Sequence, residues 1–178
     1  MDGHFELSSG LHSNRYFQCA RLLQHPQFAE IAGKQIAELF DRDEIDLVLG
    51  PALGGVIIGH EVARALGKPS IFTERKDGFM MLRRGFKINE GDRILIVEDV
   101  ITTAKSVKEN ISIVNGYNAE VAGVGCIIDR SQGQSGIDIK SLMQLDPAIY
   151  HPNDCPMCKD GLDLEKPGSQ ARVTRYII

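Results

Sequence analysis

Three things are scarce in this chain of 178 residues: cysteine, surplus basic charge and long apolar runs. Four scattered cysteines are too few for a disulfide scaffold of this size, which points to a reducing, cytoplasmic compartment. Lys plus Arg number 20 against 24 Asp plus Glu, a formal net charge of -4. A protein living by phosphate-backbone contact is normally basic, so nucleic acid is not an expected partner. The apolar runs at Asp46–Leu49 and Ile94–Val97 are far shorter than a bilayer span, and Met1–Gly10 has no apolar signal region, so no membrane association is expected. The five histidines, His4, His12, His25, His60 and His151, show no metal-ligand spacing, and the sequon at Asn110-Ile111-Ser112 falls in an expected helix and reads as chance.

What is present describes a packed globular chain. Hydrophobic residues make up 43% and charged residues 25%, enough for a real core. At about 150 residues per domain the length gives one domain, 1–178. Residues from Pro26 to Phe40 read as an amphipathic helix with Phe28, Ile31, Ala32, Leu39 and Phe40 on one stripe. DLVLG after it has the character of a strand buried on both faces. A helix over Val56–Leu66 is closed by Gly67, SIFTER reads as a strand, and Lys76 to Lys87 reads as loop. ILIVED is the strongest strand, followed by a helix stopped at Gly116, and EVAGVGCIID and IDIKSLMQL complete the strands. This alternation implies an α/β fold, a mostly parallel central sheet flanked by helices. The last thirty residues read as loop and short irregular structure.

Ligands of open α/β sheets sit at the carboxyl ends of strands. Two turns there, GPALGG and VITTAKS, suit an anion. In ILIVEDVITTAKS a buried strand delivers Glu98 and Asp99 to its carboxyl end, just before a hydroxyl-rich helix start. Backbone N–H groups there, with Thr102, Thr103 and Ser106, suit a phosphate. Two adjacent carboxylates repel a phosphate and instead suit hydroxyls or a metal, although an ordinary strand end and helix cap would use the same residue types. The AKS triplet is not a P-loop, because both glycines of that motif are missing.

ILIVEDVITTAKS resembles the phosphoribosyl-pyrophosphate (PRPP) signature of the type I phosphoribosyltransferases. FELSSGLHSNRYFQ, GPALGG, ERKDGFMMLRRGF, IIDRS and CPMCKDGLDLEKPGS narrow the resemblance to the orotate branch, from Gly3 to Ser169. It implies the type I phosphoribosyltransferase fold, with a core over about 26–145 and a small hood from about 1–25 plus the C-terminal segment. The implied activity is that of a pentosyltransferase of pyrimidine biosynthesis, joining orotate to the phosphoribosyl group of PRPP. The alternatives are a phosphoribosyltransferase for another base, or a PRPP-binding regulator without catalysis. The PRPP site implied is Glu98, Asp99, Val100, Ile101, Thr102, Thr103, Ala104, Lys105 and Ser106, with Gly50, Pro51, Ala52, Leu53, Gly54 and Gly55 as the pyrophosphate loop. Catalytic roles fall on Glu98, Asp99, Arg75 and Lys76, the last two in a flexible loop. Orotate contacts fall on Thr102, Arg130, Tyr16 and Phe17. The resemblance also implies Mg2+ carried on PRPP, with no side chain assigned to it, and a homodimer with shared active sites.

The chain departs from that pattern at several positions. Ala104 stands where the signature usually has glycine, and if that position needs positive φ the alanine costs roughly 1 kcal/mol. Ser8 and Gly54 stand where better-known members have lysines, and Arg83 and Arg84 are the expected substitutes for basic residues missing from the loop. Cys155-Pro156-Met157-Cys158 supplies only two of the four ligands of a structural zinc site, unless a second subunit supplies the rest, and reads as packing or a local staple.

Overall fold

Residues Leu47–Pro51 are buried at every position and form a central strand, as their unbroken apolar character requires. The computed structural model describes residues 1–7 and 10–167, so Ser8 lies outside the described residues, as does the end of the CPMC-containing motif. The chain divides into two compact units, one from 1–17 together with the residues from Asp146 onward, the other Gln18–Leu145.

In the larger unit, helix α1 (Cys19–Leu23) and helix α2 (Pro26–Ala37) precede strand β3 (Leu47–Pro51), helix α3 (Gly54–Leu66), strand β4 (Ser70–Lys76) and strand β5 (Phe79–Leu82). Strand β6 (Arg93–Ile101), helix α4 (Lys105–Gly116), strand β7 (Glu120–Asp129) and strand β8 (Lys140–Gln144) follow. The sheet order is β5-β4-β3-β6-β7-β8, parallel throughout except for β5. The chain steps from β3 through α3 to β4 in one direction, and from β6 through α4 to β7 in the other. Right-handed crossovers therefore place α3 and α4 on opposite faces. Leu47, Leu49, Ile94 and Ile96 join Val107 and Val114 of α4 in one core cluster. Val48 points to the α3 side, lying 3.8 Å from where a Cβ at Gly59 would sit. Period-two alternation with both faces covered is why these strands are apolar at every position.

Helix α3 ends as its sequence demands. Gly67 is left-handed at φ 67°, and Lys68 donates its N–H to the Ala63 carbonyl. Two expectations are corrected here. Helix α2 stops at Ala37, and its buried face is Ala29, Ala32, Gly33, Ile36 and Ala37, leaving Phe28 and Ile31 exposed. Small residues win that face because α2 lies against α3: a side chain at Gly33 would run into the backbone of Glu61. The stretch from Lys76, expected as loop, begins as a β-hairpin, with Lys76 opposite Phe79 across an Asp77-Gly78 turn. Both turn residues have positive φ, 52° and 86°, the geometry for which Asp-Gly is favoured in two-residue hairpins.

In the smaller unit strand β1 (Asp2–Glu6) pairs antiparallel with β2 (His12–Arg15), and β2 with β9 (Ile149–Tyr150). A short helix, α5 (Pro156–Lys159), follows, and Glu165 returns to β1, donating its N–H to the His4 carbonyl at 2.8 Å and accepting from Glu6 N–H at 2.7 Å. The expected irregular character of the C-terminal segment holds for the described part of it.

Candidate active site

The sheet's topology singles out one crevice. Connections leave β3 and β6 in opposite directions, so these adjacent strands form the switch point, and ligands bind outside the carboxyl ends of strands there. Both sequence-expected turns lie at this point. Gly50 and Pro51 end β3, Ala52 and Leu53 form the turn, and Gly54 and Gly55 open α3. Glu98, Asp99, Val100 and Ile101 end β6, Thr102, Thr103 and Ala104 form the turn, and Lys105 and Ser106 open α4. The two turns approach closely: a Cβ on Gly54 would fall onto the Asp99 carboxylate, and one on Gly50 would overlap the Gly55 carbonyl. Glycine is needed at both for lack of room.

Neither helix start is capped in the ordinary way. The residues at the cap positions, Leu53 and Ala104, have no side chain able to accept an N–H, and neither first turn carries an acid. The first amides of α3 and α4 are thus left for an outside acceptor, at the positive ends of two helix dipoles. Ala104 is left-handed, φ 56° and ψ 21°, the strained conformation that the usual glycine would relieve. Thr102 and Thr103 are exposed, as is Lys105.

The carboxylates are the other half of the site. Burial, with the neighbouring Asp99 adding to it, pushes the Glu98 carboxyl up to about 8. Burial also raises Asp99, against hydrogen bonds from the backbone N–H groups of Val100 and Asp99 itself. Among the described residues no cation offsets either group. Such a pair is suited to accept hydrogen bonds from hydroxyls or to meet a divalent cation.

The structure disposes the remaining expected residues as follows. Arg130 follows the end of β7 and donates its backbone N–H to the Ile101 carbonyl at 2.8 Å, which ties it to the end of β6. Arg75 and Lys76 end β4, at the hairpin. Arg75 is held by Glu109 of α4 at 2.5 and 3.2 Å and by the Gly78 carbonyl at 2.6 Å, while Lys76 is exposed. Arg83 and Arg84 both bind Glu74, at 3.0 and 2.9 Å. Tyr16 and Phe17 belong to the smaller unit, where the Tyr16 ring lies 5.8 Å from that of Phe5. Asn110 is fully buried, accepting from Thr73 Oγ1 at 2.7 Å, so its sequon serves packing between α4 and β4.

Three contributors escaped the sequence reading. The Cys19 thiol donates to the Asp99 carbonyl at 3.9 Å, and burial pushes that thiol up to about 12, so it is an inert prop. Ser131, beside Arg130, keeps a buried hydroxyl with no hydrogen-bond partner among the described residues. Glu109 is the anchor of Arg75. Cys19 and Glu109 lie in no local motif that marks them, and Ser131 ends the IIDRS motif, in which only Arg130 was given a role. The smaller unit also corrects an expectation: the histidines without ligand spacing and the CxxC without partners meet, since His4, His12, Cys155 and Cys158 form one cluster.

Comparison with known proteins agrees with this geometry. Residues 18–157 match the family model described as "Phosphoribosyl transferase domain". An orotate phosphoribosyltransferase of Caldicellulosiruptor saccharolyticus is 51% identical over 172 residues, covering 96% of this chain and 90% of the relative. One from Thermotoga maritima is 49% identical over 172 residues, covering 96% and 92%. Among solved structures, the orotate phosphoribosyltransferase of Aeropyrum pernix has the same fold, with TM-score 0.67 at 22% identity over 82% of this chain and 87% of that one. With a family model over most of its length and relatives at half identity across nearly all of it, the chain belongs to the phosphoribosyltransferase family, in its orotate phosphoribosyltransferase branch.

Proposed function

We infer that the chain transfers the 5-phosphoribosyl group of PRPP to orotate, giving orotidine 5′-monophosphate and pyrophosphate. One observation carries the reading: two uncapped helix starts flank a partly buried carboxylate pair, offset by no cation among the described residues, at the switch point of the sheet. That arrangement fits a ligand with an anion at each end and a diol between them. The first amides of α4, with Thr102, Thr103 and Ser106, take the 5′-phosphate. The Gly50–Gly55 turn takes the pyrophosphate, where the first amides of α3, at Gly54 and Gly55, carry no side chain. Glu98 and Asp99 accept from the ribose hydroxyls.

Substitution at the anomeric carbon develops positive charge on the sugar. Asp99 lies where a carboxylate stabilises that charge, and its desolvation makes the interaction stronger than in water. Arg130 offers a planar fork to the orotate carboxylate, Thr102 reaches the same ligand, and Tyr16 and Phe17 supply flat walls. Arg75 and Lys76 clamp the leaving pyrophosphate when the hairpin moves over it, which requires Arg75 to exchange Glu109 for the ligand. The donor set of Glu98 and Asp99 also fits a hard divalent cation, and Mg2+ bound with PRPP supplies charge neutralisation of the pyrophosphate. The larger unit acts as the catalytic core. A homodimer in which each hairpin serves the partner's site completes the proposal. No described helix is long and apolar enough to cross a membrane, in keeping with a cytoplasmic enzyme.

The test follows orotate absorbance with PRPP and Mg2+ for the wild type, Asp99→Asn and Arg130→Ala. Orotate loss that needs all three components and falls in both variants supports the reading. PRPP binding without consumption of orotate or any purine base overturns it in favour of a sensor. Sharing of sites is tested by mixing an Arg75/Lys76 double variant with Asp99→Asn. Activity returns through hybrid dimers if sites are shared, and stays lost after verified subunit exchange if they are not.

A further inference from the structure

We propose that the smaller unit holds a structural zinc ion between His4, His12, Cys155 and Cys158. The residues come from β1, β2 and both ends of the Cys155–Cys158 segment, and their ligand atoms lie within 4.8 Å of one another. His4 Nε2 is 2.9 Å from His12 Nδ1, 3.5 Å from Cys155 Sγ and 3.6 Å from Cys158 Sγ, and Cys158 Sγ is 3.3 Å from His12 Nδ1. Tetrahedral zinc with bonds of about 2.0–2.1 Å to nitrogen and 2.3 Å to sulfur sets ligand atoms roughly 3.3 Å apart for N–N and 3.5–3.6 Å for N–S. The three N–S distances, 3.3 to 3.6 Å, are close to that spacing, while the two nitrogens stand nearer, at 2.9 Å, and the whole set spans up to 4.8 Å, so a bound ion draws the four ligand atoms into a regular tetrahedron.

Hydrogen bonding does not account for the cluster. His4 Nδ1 lies 3.0 Å from the Leu162 carbonyl, an acceptor only, so Nδ1 carries the proton and Nε2 presents a lone pair. That single lone pair faces three groups at once: His12 Nδ1, Cys155 Sγ and Cys158 Sγ. One proton can serve only one of those approaches, whereas a cation at the centre serves all four residues. The Nδ1–H to carbonyl bond is also the contact that orients metal-bound histidines and raises their basicity. Both cysteines are free thiols, and His4, His12 and Cys155 are buried. Two nitrogens and two sulfurs in a closed tetrahedron select zinc over harder or redox-active metals.

The unit also gains from such a staple. Its buried apolar side chains among the described residues are Phe5, Pro147, Cys155 and Met157, a slight core to which a metal staple adds stability. Zinc at this point ties the chain's first strands to its C-terminal segment. Binding releases the two thiol protons to solvent, so affinity falls as pH falls.

The experiment uses the untagged full chain. Elemental analysis after exhaustive dialysis is expected to give one zinc per chain, falling to none in Cys158→Ser and in His12→Ala while Cys126→Ala keeps it. Because a ligand variant can fail to fold, the wild type is also stripped with chelator and refilled with Co2+. Intense visible ligand-field bands with a thiolate charge-transfer band, displaced by one equivalent of zinc, are the expected result. Protein purified without zinc, a pale six-coordinate Co2+ spectrum, or a Cys155–Cys158 disulfide in the freshly isolated chain each overturns the proposal. None of these readouts depends on catalytic activity, so they are independent of the assignment of the phosphoribosyl site.

Discussion

Strands β3 and β6 lie side by side and carry carboxylates at both ends, and the two ends treat them oppositely. At the amino end Asp46 accepts from the Arg93 backbone N–H and from its Nε and terminal guanidinium N–H, each at 3.0 Å, while Glu44 takes another guanidinium N–H at 3.1 Å. Those hydrogen bonds hold the Asp46 carboxyl down at about 2 and raise Arg93. At the carboxyl end Glu98 is pushed up to about 8 and Asp99 is raised, with burial as the main cause and no cation among the described residues in compensation. The same two strands thus spend one end on holding the sheet and leave the other in electrostatic debt to a ligand. Unmet charge at a topological switch point, beside helix starts without caps, is a stronger mark of function than charge alone.

Breaking the carboxyl end should have the largest effect. Asp99→Asn is expected to lower kcat by about 10²–10³-fold, the scale of removing one preorganised stabilising group. The melting temperature of the ligand-free chain should stay level or rise, because a buried charge has gone. Thermal melts beside the orotate assay check both halves. Next in size is Arg130→Ala. Loss of a charged hydrogen-bonding fork worth about 1.5–3 kcal/mol raises the KM for orotate roughly 10–100-fold and leaves the KM for PRPP nearly unchanged. Steady-state kinetics with each substrate varied in turn separates the two.

Breaking the amino end should do the reverse. Arg93→Ala lowers the melting temperature without changing kcat, and because the pair is partly exposed the loss shrinks in high salt. The sign of its pH dependence follows from a folded-state carboxyl held below its ordinary value. Asp46 contributes fully at neutral pH, and its contribution fades as pH falls through about 2, so wild type and variant converge in acid. Melts of both proteins across an acid series read this out. Smallest of all is Ala104→Gly. Relief of left-handed strain, roughly 1–2 kcal/mol, is opposed by a lost buried methyl of about 0.8 kcal/mol and glycine's extra chain entropy. Denaturant unfolding should place the net change within about 1 kcal/mol.

The legible parts of the molecule were those whose cause is local. The alternation of apolar strands with helices gives the parallel sheet, and Glu98 to Ser106 read as one ligand-binding turn because strand end, hydroxyls and helix start are contiguous. The Asp77-Gly78 hairpin carried a local signal as well, an Asp-Gly pair at a strand end, and the surrounding charges obscured it. Other features depend on distant partners. The buried face of α2 is set by the backbone of α3 against Gly33, so its largest apolar residues, Phe28 and Ile31, are not its core residues. Arg75 is defined by Glu109, and Cys19 by Asp99, across spans that no motif covers. The His4, His12, Cys155 and Cys158 cluster is the extreme case, because its two halves come from opposite ends of the chain and neither half has a full ligand pattern.

The central claim is that the carboxyl end of β6 gives up stability to hold a ligand, and Glu98 tests it most directly. A group titrating at about 8 in the folded chain and near 4.5 unfolded binds more protons when folded, so its contribution to stability is present below pH 4.5 and lost as pH rises toward 8. The decisive measurement is unfolding free energy of wild type and Glu98→Gln from pH 5 to 8, with and without PRPP and Mg2+. The account predicts that Glu98→Gln gains on ligand-free wild type as pH rises, by up to a few kcal/mol on the order set by the shift, and loses most of the stabilisation PRPP confers. A variant that is less stable than wild type at pH 8, or that PRPP stabilises equally well, would contradict it.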